Sequence, residues 1–115
     1  MSERWIKVAM SAAVEPGNVL GVKAGTLELA VYNLAGTFHA TDNLCTHAYA
    51  RLSQGWVDGE VVECPLHGGR FEIKSGKGLG LPITCDIRTY PVRVVGGAIE
   101  VSVAGVDASA LKETR

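Results

Sequence analysis

The sequence is poor in most of the features that announce a function class. No apolar run is long enough to cross a bilayer: the stretch 8–14 is short, is broken by Ser11 and stops at Glu15-Pro16, whereas a helical span needs about 20 apolar residues. The first seven residues already carry Glu3, Arg4 and Lys7, so neither a secretory leader nor a membrane anchor is expected, and the chain is expected to work in the cytoplasm. Neither sign of charge dominates. Eleven basic residues face 12 acidic ones without blocks, which leaves no electrostatic footprint for nucleic acid or an anionic membrane. Cysteine is scarce and odd in number, at three; without an export signal this argues against a disulfide framework and towards metal or thiol chemistry. A chain of 115 residues makes one domain with a real core and has no room for a separate catalytic domain.

A sustained helical period is also missing. Apolar residues come in short β-branched or alternating runs, punctuated by 14 glycines and four prolines, which is an all-β pattern. Strands are expected over 5–9, 19–23, 27–34, 37–41, 55–57, 61–64, 70–73, 87–95 and 98–103. Turns are expected at Pro16-Gly17-Asn18, Ala35-Gly36, Asp58-Gly59, Ser75-Gly76-Lys77-Gly78 and Gly96-Gly97. Such short, closely spaced strands suggest a compact antiparallel sandwich or barrel. The domain is expected to span 1–104, with a loose tail over 105–115 where the alternation is lost.

The strand pattern stops in two places, and there the unusual side chains gather. Cys45-Thr46-His47 and Cys64-Pro65-Leu66-His67 form a C-x-H and a C-x-x-H separated by sixteen residues. The segment between them reads as a hairpin, Gly55-Trp56-Val57 turning at Asp58-Gly59 into Val61-Val62-Glu63. A hairpin brings its ends together, so two loops at its base present two thiols and two imidazoles to one point, which suits a four-ligand metal site. The bland reading, two buried cysteines and two incidental histidines, leaves unexplained why all four gather in two matching loops.

Cys₂His₂ is also a zinc ligand set, but zinc fingers pair cysteine with cysteine and histidine with histidine, the second pair on a helix. Here each loop supplies one of each, in a β context, and that order favours two irons. In a Rieske centre two thiolates hold one ferric iron and two imidazoles hold the other. The anionic thiolates stabilise Fe³⁺ on their side, so the incoming electron settles on the histidine iron. Two Fe³⁺, two S²⁻ and two thiolates sum to zero charge, and reduction takes the core only to minus one, which makes the cluster easier to reduce than a Cys₄ type.

Asp42-Asn43-Leu44-Cys45-Thr46-His47, Glu63-Cys64-Pro65-Leu66-His67-Gly68-Gly69-Arg70-Phe71, Gly76-Lys77 and Pro82 closely resemble the Rieske ferredoxins of bacterial aromatic-ring-hydroxylating oxygenases, those of the naphthalene dioxygenase type above all. The resemblance runs from Trp5 to Val103 and implies a Rieske domain: an antiparallel β-sandwich base with a small cluster-binding subdomain at about 43–84. It implies one [2Fe–2S] cluster on Cys45, His47, Cys64 and His67. It also implies a one-electron carrier without substrate chemistry of its own, between a flavin-dependent NAD(P)H reductase and the terminal oxygenase of an aromatic catabolic system.

Respiratory Rieske proteins carry a second, disulfide-forming cysteine in each loop and hydroxyls that hydrogen-bond the cluster sulfurs. This chain departs from them, with Ala48-Tyr49-Ala50 after His47, Leu66 in place of the other loop cysteine, and Gly69 and Phe71 where Ser and Tyr would stand. Fewer donors to sulfur mean less stabilisation of the reduced cluster, so a potential towards the lower end of the Rieske range is expected. Backbone N–H groups near Gly68 and Gly69 are expected to serve the sulfurs, and Pro65 to stiffen the second loop. Pro82, after the flexible run 76–80, matches the family's third covering loop. With Tyr49 and Leu66 it would form a small apolar rim, either a cover for the cluster or a transient docking surface.

Other signals are set aside. Ser75-Gly76-Lys77-Gly78-Leu79-Gly80 lacks the helix and the Lys-Ser/Thr pair of a phosphate loop. His39 is expected to be an exposed strand residue, and Cys85 a partly buried thiol outside any disulfide. No nucleophile–base set and no mononuclear iron triad can be assembled from the remaining residues. Two alternatives remain: a structural zinc module serving as an interaction domain, and the small Rieske subunit of a nitrite- or arsenite-metabolising complex. The latter fits less well, since the nitrite relatives often lack the ligands and the arsenite type is usually exported.

Overall fold

A computed structural model describes residues 4–45, 50–66, 68–81, 83 and 85–103. The chain is all-β and antiparallel. Strand β1 (Trp5–Met10) is followed by β2 (Val19–Ala24), β3 (Leu27–Leu34), β4 (Thr37–Asp42), β5 (Trp56–Asp58), β6 (Val61–Glu63), β7 (Arg70–Glu72), β8 (Thr89–Tyr90), β9 (Val92–Val95) and β10 (Ala98–Ser102). Two short 3₁₀ turns, Ser11–Ala13 and Leu52–Gln54, were not expected; a single turn of that kind leaves no periodicity to read. Among the described residues no helix is long and apolar enough to cross a membrane.

The strands form three sheets, ordered β1-β10-β9, β2-β3-β4-β8 and β5-β6-β7. The first two enclose one core, with Leu29 and Val31 of β3 and Ala40 of β4 meeting Ile99 and Val101 of β10. The alternate β3 residues Ala30 and Tyr32 point the other way, into a second core with Cys45, Leu52, Val62, Cys64, Phe71, Ile73, Ile83 and Ile87. Strand β3 is therefore covered on both faces, which explains why 29–32 is continuously apolar rather than alternating. The buried Tyr32 hydroxyl is satisfied by Thr41 Oγ1 at 2.9 Å, and burial holds the phenol well above its usual pKa.

One expected strand is two. The run 87–95 divides at Pro91: β8 pairs with β4 through Ala40–Tyr90 and Thr41–Thr89, while β9 pairs with β10 in the other sheet. Proline has no N–H to continue a ladder and constrains the residue before it, so the chain changes sheets there. The Pro91 carbonyl still accepts from Ser102 N–H at 2.9 Å. The turn at Gly25-Thr26, which closes the β2–β3 hairpin between Ala24 and Leu27, was also missed, because Ala-Gly-Thr is a weaker turn signal than Asn-Gly.

The segment after β7 is not the loose loop that its glycines suggest. Glu72 N–H donates to the Lys77 carbonyl at 2.9 Å and Leu79 N–H to the Arg70 carbonyl at 2.9 Å, with Phe71 and Gly78 directly opposed. Residues 77–79 thus lie as a short ladder along β7.

Candidate metal centre

The two cysteine loops are built alike. In the first, Leu44 and Arg51 face each other across an antiparallel bridge, and Cys45 N–H donates to the Ala50 carbonyl at 2.9 Å. In the second, Glu63 and Arg70 are paired in the β6–β7 ladder, and Cys64 N–H donates to the Gly69 carbonyl at 2.6 Å. In each loop the cysteine amide is therefore closed onto the carbonyl five residues on, Cys45 onto Ala50 and Cys64 onto Gly69. This refines the expected geometry: β5 and β6 do pair, but the turn is Gly59-Glu60, one residue later than expected, with Asp58 opposite Val61, and each cysteine follows a paired residue of a further antiparallel pair, Leu44 with Arg51 and Glu63 with Arg70.

Both thiols face inward. Cys45 is 6% exposed and Cys64 fully buried, within the same core as Phe71 and Ile83, and neither is in a disulfide. Leu66 N–H lies 3.4 Å from Cys64 Sγ as a donor to sulfur, the kind of amide contact that orients a ligand sulfur. The second loop sits close against the chain entering β5. A Cβ on Gly55 would collide with the Glu63 carbonyl and reach Pro65 Cδ at 3.1 Å, so only glycine lets those backbones approach. The other two candidate ligands, His47 and His67, lie outside the described residues, as do the rim residues Tyr49 and Pro82. Leu66 is 40% exposed, and Leu79 and Leu81, on the stretch that leads to Pro82, are 42% and 86% exposed.

Two expectations about other residues are corrected. Cys85 is exposed, not partly buried, because it follows Ile83 in an irregular segment whose apolar anchors are Ile83 and Ile87. His39 is half-buried rather than exposed. It lines a groove of about 550 Å³ between the β3–β4 and β5–β6 turns, with Leu34, Val57, Glu60 and Lys74, and its Nε2 is enclosed without a hydrogen-bond partner. The cause is tertiary: the β5–β6 turn and Lys74 lie over this part of β4.

Burial, followed by the positive charge of Lys74, holds the His39 imidazole below its ordinary pKa of 6.5, with Glu60 opposing weakly. The unfolded chain therefore binds a proton that the folded chain resists. This contribution is intact above about pH 6.5 and is lost as pH falls through the folded value. Urea titrations at pH 7 and pH 5 are expected to show a smaller acid-induced loss of stability for His39→Leu than for the native chain; equal losses would remove His39 from the pH response.

A third residue group was missed. Glu28 of β3 takes Arg51 in a two-point ion pair, Nε to Oε1 at 2.6 Å and Nη2 to Oε2 at 3.1 Å. The buried Asn43 accepts Ser53 N–H on its Oδ1 at 2.8 Å. Asn43 stands in the motif before Cys45 and could have been suspected. Glu28 lies 23 residues from Arg51, and no local pattern links them.

Two matching loops, each folding one buried cysteine towards a common core above an antiparallel sandwich, define the Rieske class of iron–sulfur domain. The Rieske [2Fe-2S] domain family matches residues 4–91. The ferredoxin component of the naphthalene 1,2-dioxygenase/salicylate 5-hydroxylase systems of Ralstonia sp is 48% identical over 94 residues, covering 82% of this chain and 90% of that protein. The ferredoxin component of the naphthalene 1,2-dioxygenase system of Pseudomonas aeruginosa is 43% identical over 104 residues, 90% of this chain and all of that one. Among solved structures, a chain from the complex of reduced oxygenase and oxidized ferredoxin in carbazole 1,9a-dioxygenase matches with a TM-score of 0.80 at 34% identity, over 96% of each chain.

The chain belongs to the Rieske [2Fe–2S] domain family, among the ferredoxin components of ring-hydroxylating dioxygenase systems. It is an electron-transfer protein with a Rieske-type [2Fe–2S] cluster and not itself an oxygenase. Two buried, unbridged thiols, one already receiving a backbone N–H on sulfur, fit that group, and the zinc reading gives way to it.

Proposed function

We propose that this chain is the ferredoxin of a cytoplasmic aromatic-ring-hydroxylating oxygenase system, taking electrons singly from a flavin-dependent NAD(P)H reductase and passing them to the terminal oxygenase. The cluster-binding part would span about 43–84, with Cys45, His47, Cys64 and His67 as ligands. The observation that carries this reading is the pair of identically closed loops, each turning a buried cysteine towards one core. When bound, the cluster takes up and releases one electron with little change in structure. The protein's part is to hold the thiolates dry and to supply amide donors such as Leu66 N–H. It would also offer a small apolar rim to its partners. Tyr49, Leu66 and Pro82 would form that rim, extended by the exposed Leu79 and Leu81. Such a patch suits docking that must release quickly.

Purified protein is expected to be reddish-brown, with two irons and two sulfides per chain and a reduced EPR spectrum of average g below two. It is expected to restore NADH-dependent turnover when mixed with a reductase and an oxygenase of this type. A colourless protein holding one zinc would overturn the cluster assignment; a coloured protein that leaves such a mixture inactive would overturn the partner assignment.

The potential supplies a second check. Phe71 is fully buried in the core that holds both cysteines, and Gly69 is buried where its carbonyl closes the second loop on Cys64 N–H. If Gly69→Ser with Phe71→Tyr adds two sulfur hydrogen bonds of about 1 kcal/mol each, the midpoint should rise by roughly 80 mV, at about 59 mV per tenfold in a one-electron couple. An unchanged midpoint in a folded double variant would refute the tuning.

A further inference from the structure

We propose that Arg51 is a positioning residue for the cluster: with Glu28 it straps the first cysteine loop to the four-stranded base, and retention of the cluster depends on that strap. The inference rests on the ligand reading above in that Cys45 belongs to the site.

The first cysteine loop springs from two legs, and one residue of β3 grips both. On the first leg, Asn43 N–H donates to the Glu28 carbonyl at 2.9 Å. On the second, the Arg51 guanidinium lies against the Glu28 carboxylate at 2.6 and 3.1 Å. Asn43, 3% exposed, then ties the legs together: its carbonyl accepts Leu52 N–H at 2.7 Å and its Oδ1 accepts Ser53 N–H at 2.8 Å. Gly21 on β2 leaves room for this hub, since a Cβ there would stand 2.8 Å from Ser53 Oγ and 3.1 Å from Asn43 Nδ2. The hydrogen bond from Arg51 lowers the Glu28 carboxyl from its ordinary pKa, so the pairing favours the charged carboxylate. The second loop is held differently, by the ladder of β6 and β7 and by Leu79 N–H on the Arg70 carbonyl at 2.9 Å.

An exposed ion pair adds little to global stability, so its value here must be local. Release of iron needs the loop to open, and local opening is governed by the contacts that tie the loop down rather than by the whole core. The chain carries its own control. Arg93 and Glu100 form an ion pair at 2.7 Å with side chains 47% and 22% exposed, against 2.6 Å, 48% and 26% for Arg51 and Glu28. That control pair joins β9 to β10, in the sheet that carries neither cysteine loop.

The test follows bleaching of the cluster-loaded protein in excess iron chelator, together with its thermal midpoint. Arg51→Ala and Glu28→Ala are each expected to release iron about tenfold faster, within the range that outer-shell partners of metal ligands show. The double variant should be no faster than either single one, Arg51→Lys should recover part of the loss, and Glu100→Ala should release iron at the native rate. Hydrogen exchange should speed at Cys45 N–H and stay unchanged at Cys64 N–H. Native rates for Arg51→Ala and Glu28→Ala, additive effects, or an equal acceleration by Glu100→Ala would overturn the proposal. Arg51→Gln and Glu28→Gln keep the aliphatic stems and replace any alanine variant that fails to fold. A native chain that never holds iron would instead defeat the ligand reading, and the two failures are told apart by the iron content before any chelator is added.

Discussion

Cys64→Ser is expected to abolish iron and sulfide binding outright, whereas Cys85→Ser is expected to keep both in full. The two positions differ in what surrounds the sulfur. Cys64 is fully buried at the closed end of its loop, with Leu66 N–H directed at Sγ at 3.4 Å, and its N–H is engaged by the Gly69 carbonyl at 2.6 Å. Serine fits that space, but its hydroxyl stays protonated at neutral pH and offers iron no soft anionic donor. It would also be left buried among Val62, Phe71 and Ile73, where an ill-satisfied hydroxyl costs about 1–3 kcal/mol. The variant should therefore be colourless and melt lower than the native protein. Cys85 is exposed and stands outside both loops. Iron and sulfide assays with the visible spectrum decide the matter: native metal content in Cys64→Ser, or its loss in Cys85→Ser, would mean that the wrong thiols have been assigned.

Gly76→Ala should cost about 3 kcal/mol and lower the thermal midpoint by more than 10 °C, on the basis of roughly 4–8 °C per kcal/mol for a domain of about this size. Gly76 has φ of +77°, a region that costs an L-residue about 1–2 kcal/mol. A Cβ there would also run into the Ile87 carbonyl and come within 2.9 Å of Thr89 Cγ2. That carbonyl cannot move cheaply, because Gly76 N–H donates to the Glu72 carbonyl at 2.7 Å while Ile87 N–H returns to the Gly76 carbonyl at 2.8 Å. Crowding of this kind adds about 1–3 kcal/mol. Gly17 separates the two causes. Its φ is +84°, yet nothing lies within 4 Å of its missing Cβ, so Gly17→Ala should suffer the backbone cost alone. Calorimetry giving equal losses for both variants would show that close approach at Gly76 contributes nothing. The effect should extend to the site, because Gly76 fastens the segment that brings Ile83 and Ile87 into the core shared with both cysteines.

Much of the molecule was legible before any fold was known. Period-two apolar runs located nearly every strand, since alternation is written in each residue's immediate neighbours. The C-x-H and C-x-x-H motifs that hold Cys45, His47, Cys64 and His67 were enough to nominate a metal centre. What escaped depended on partners distant along the chain. Pro91 marks a break locally, but which sheet each half of 87–95 joins depends on β4 and β10, its partners on either side. The half-burial of His39 comes from the β5–β6 turn lying over β4, and the order in 77–79 from pairing with β7.

The amino-acid sequence by itself determined the all-β class, the pair of cysteine loops and the kind of cofactor they can hold, because turn chemistry, strand alternation and ligand type are local properties. Only the tertiary structure decided that Glu28 grips both legs of the first loop, that β3 feeds two cores at once, and that Cys85 faces solvent while Cys45 and Cys64 do not. Those outcomes arise where separate stretches of chain compete for the same buried surface, and no single stretch records the result.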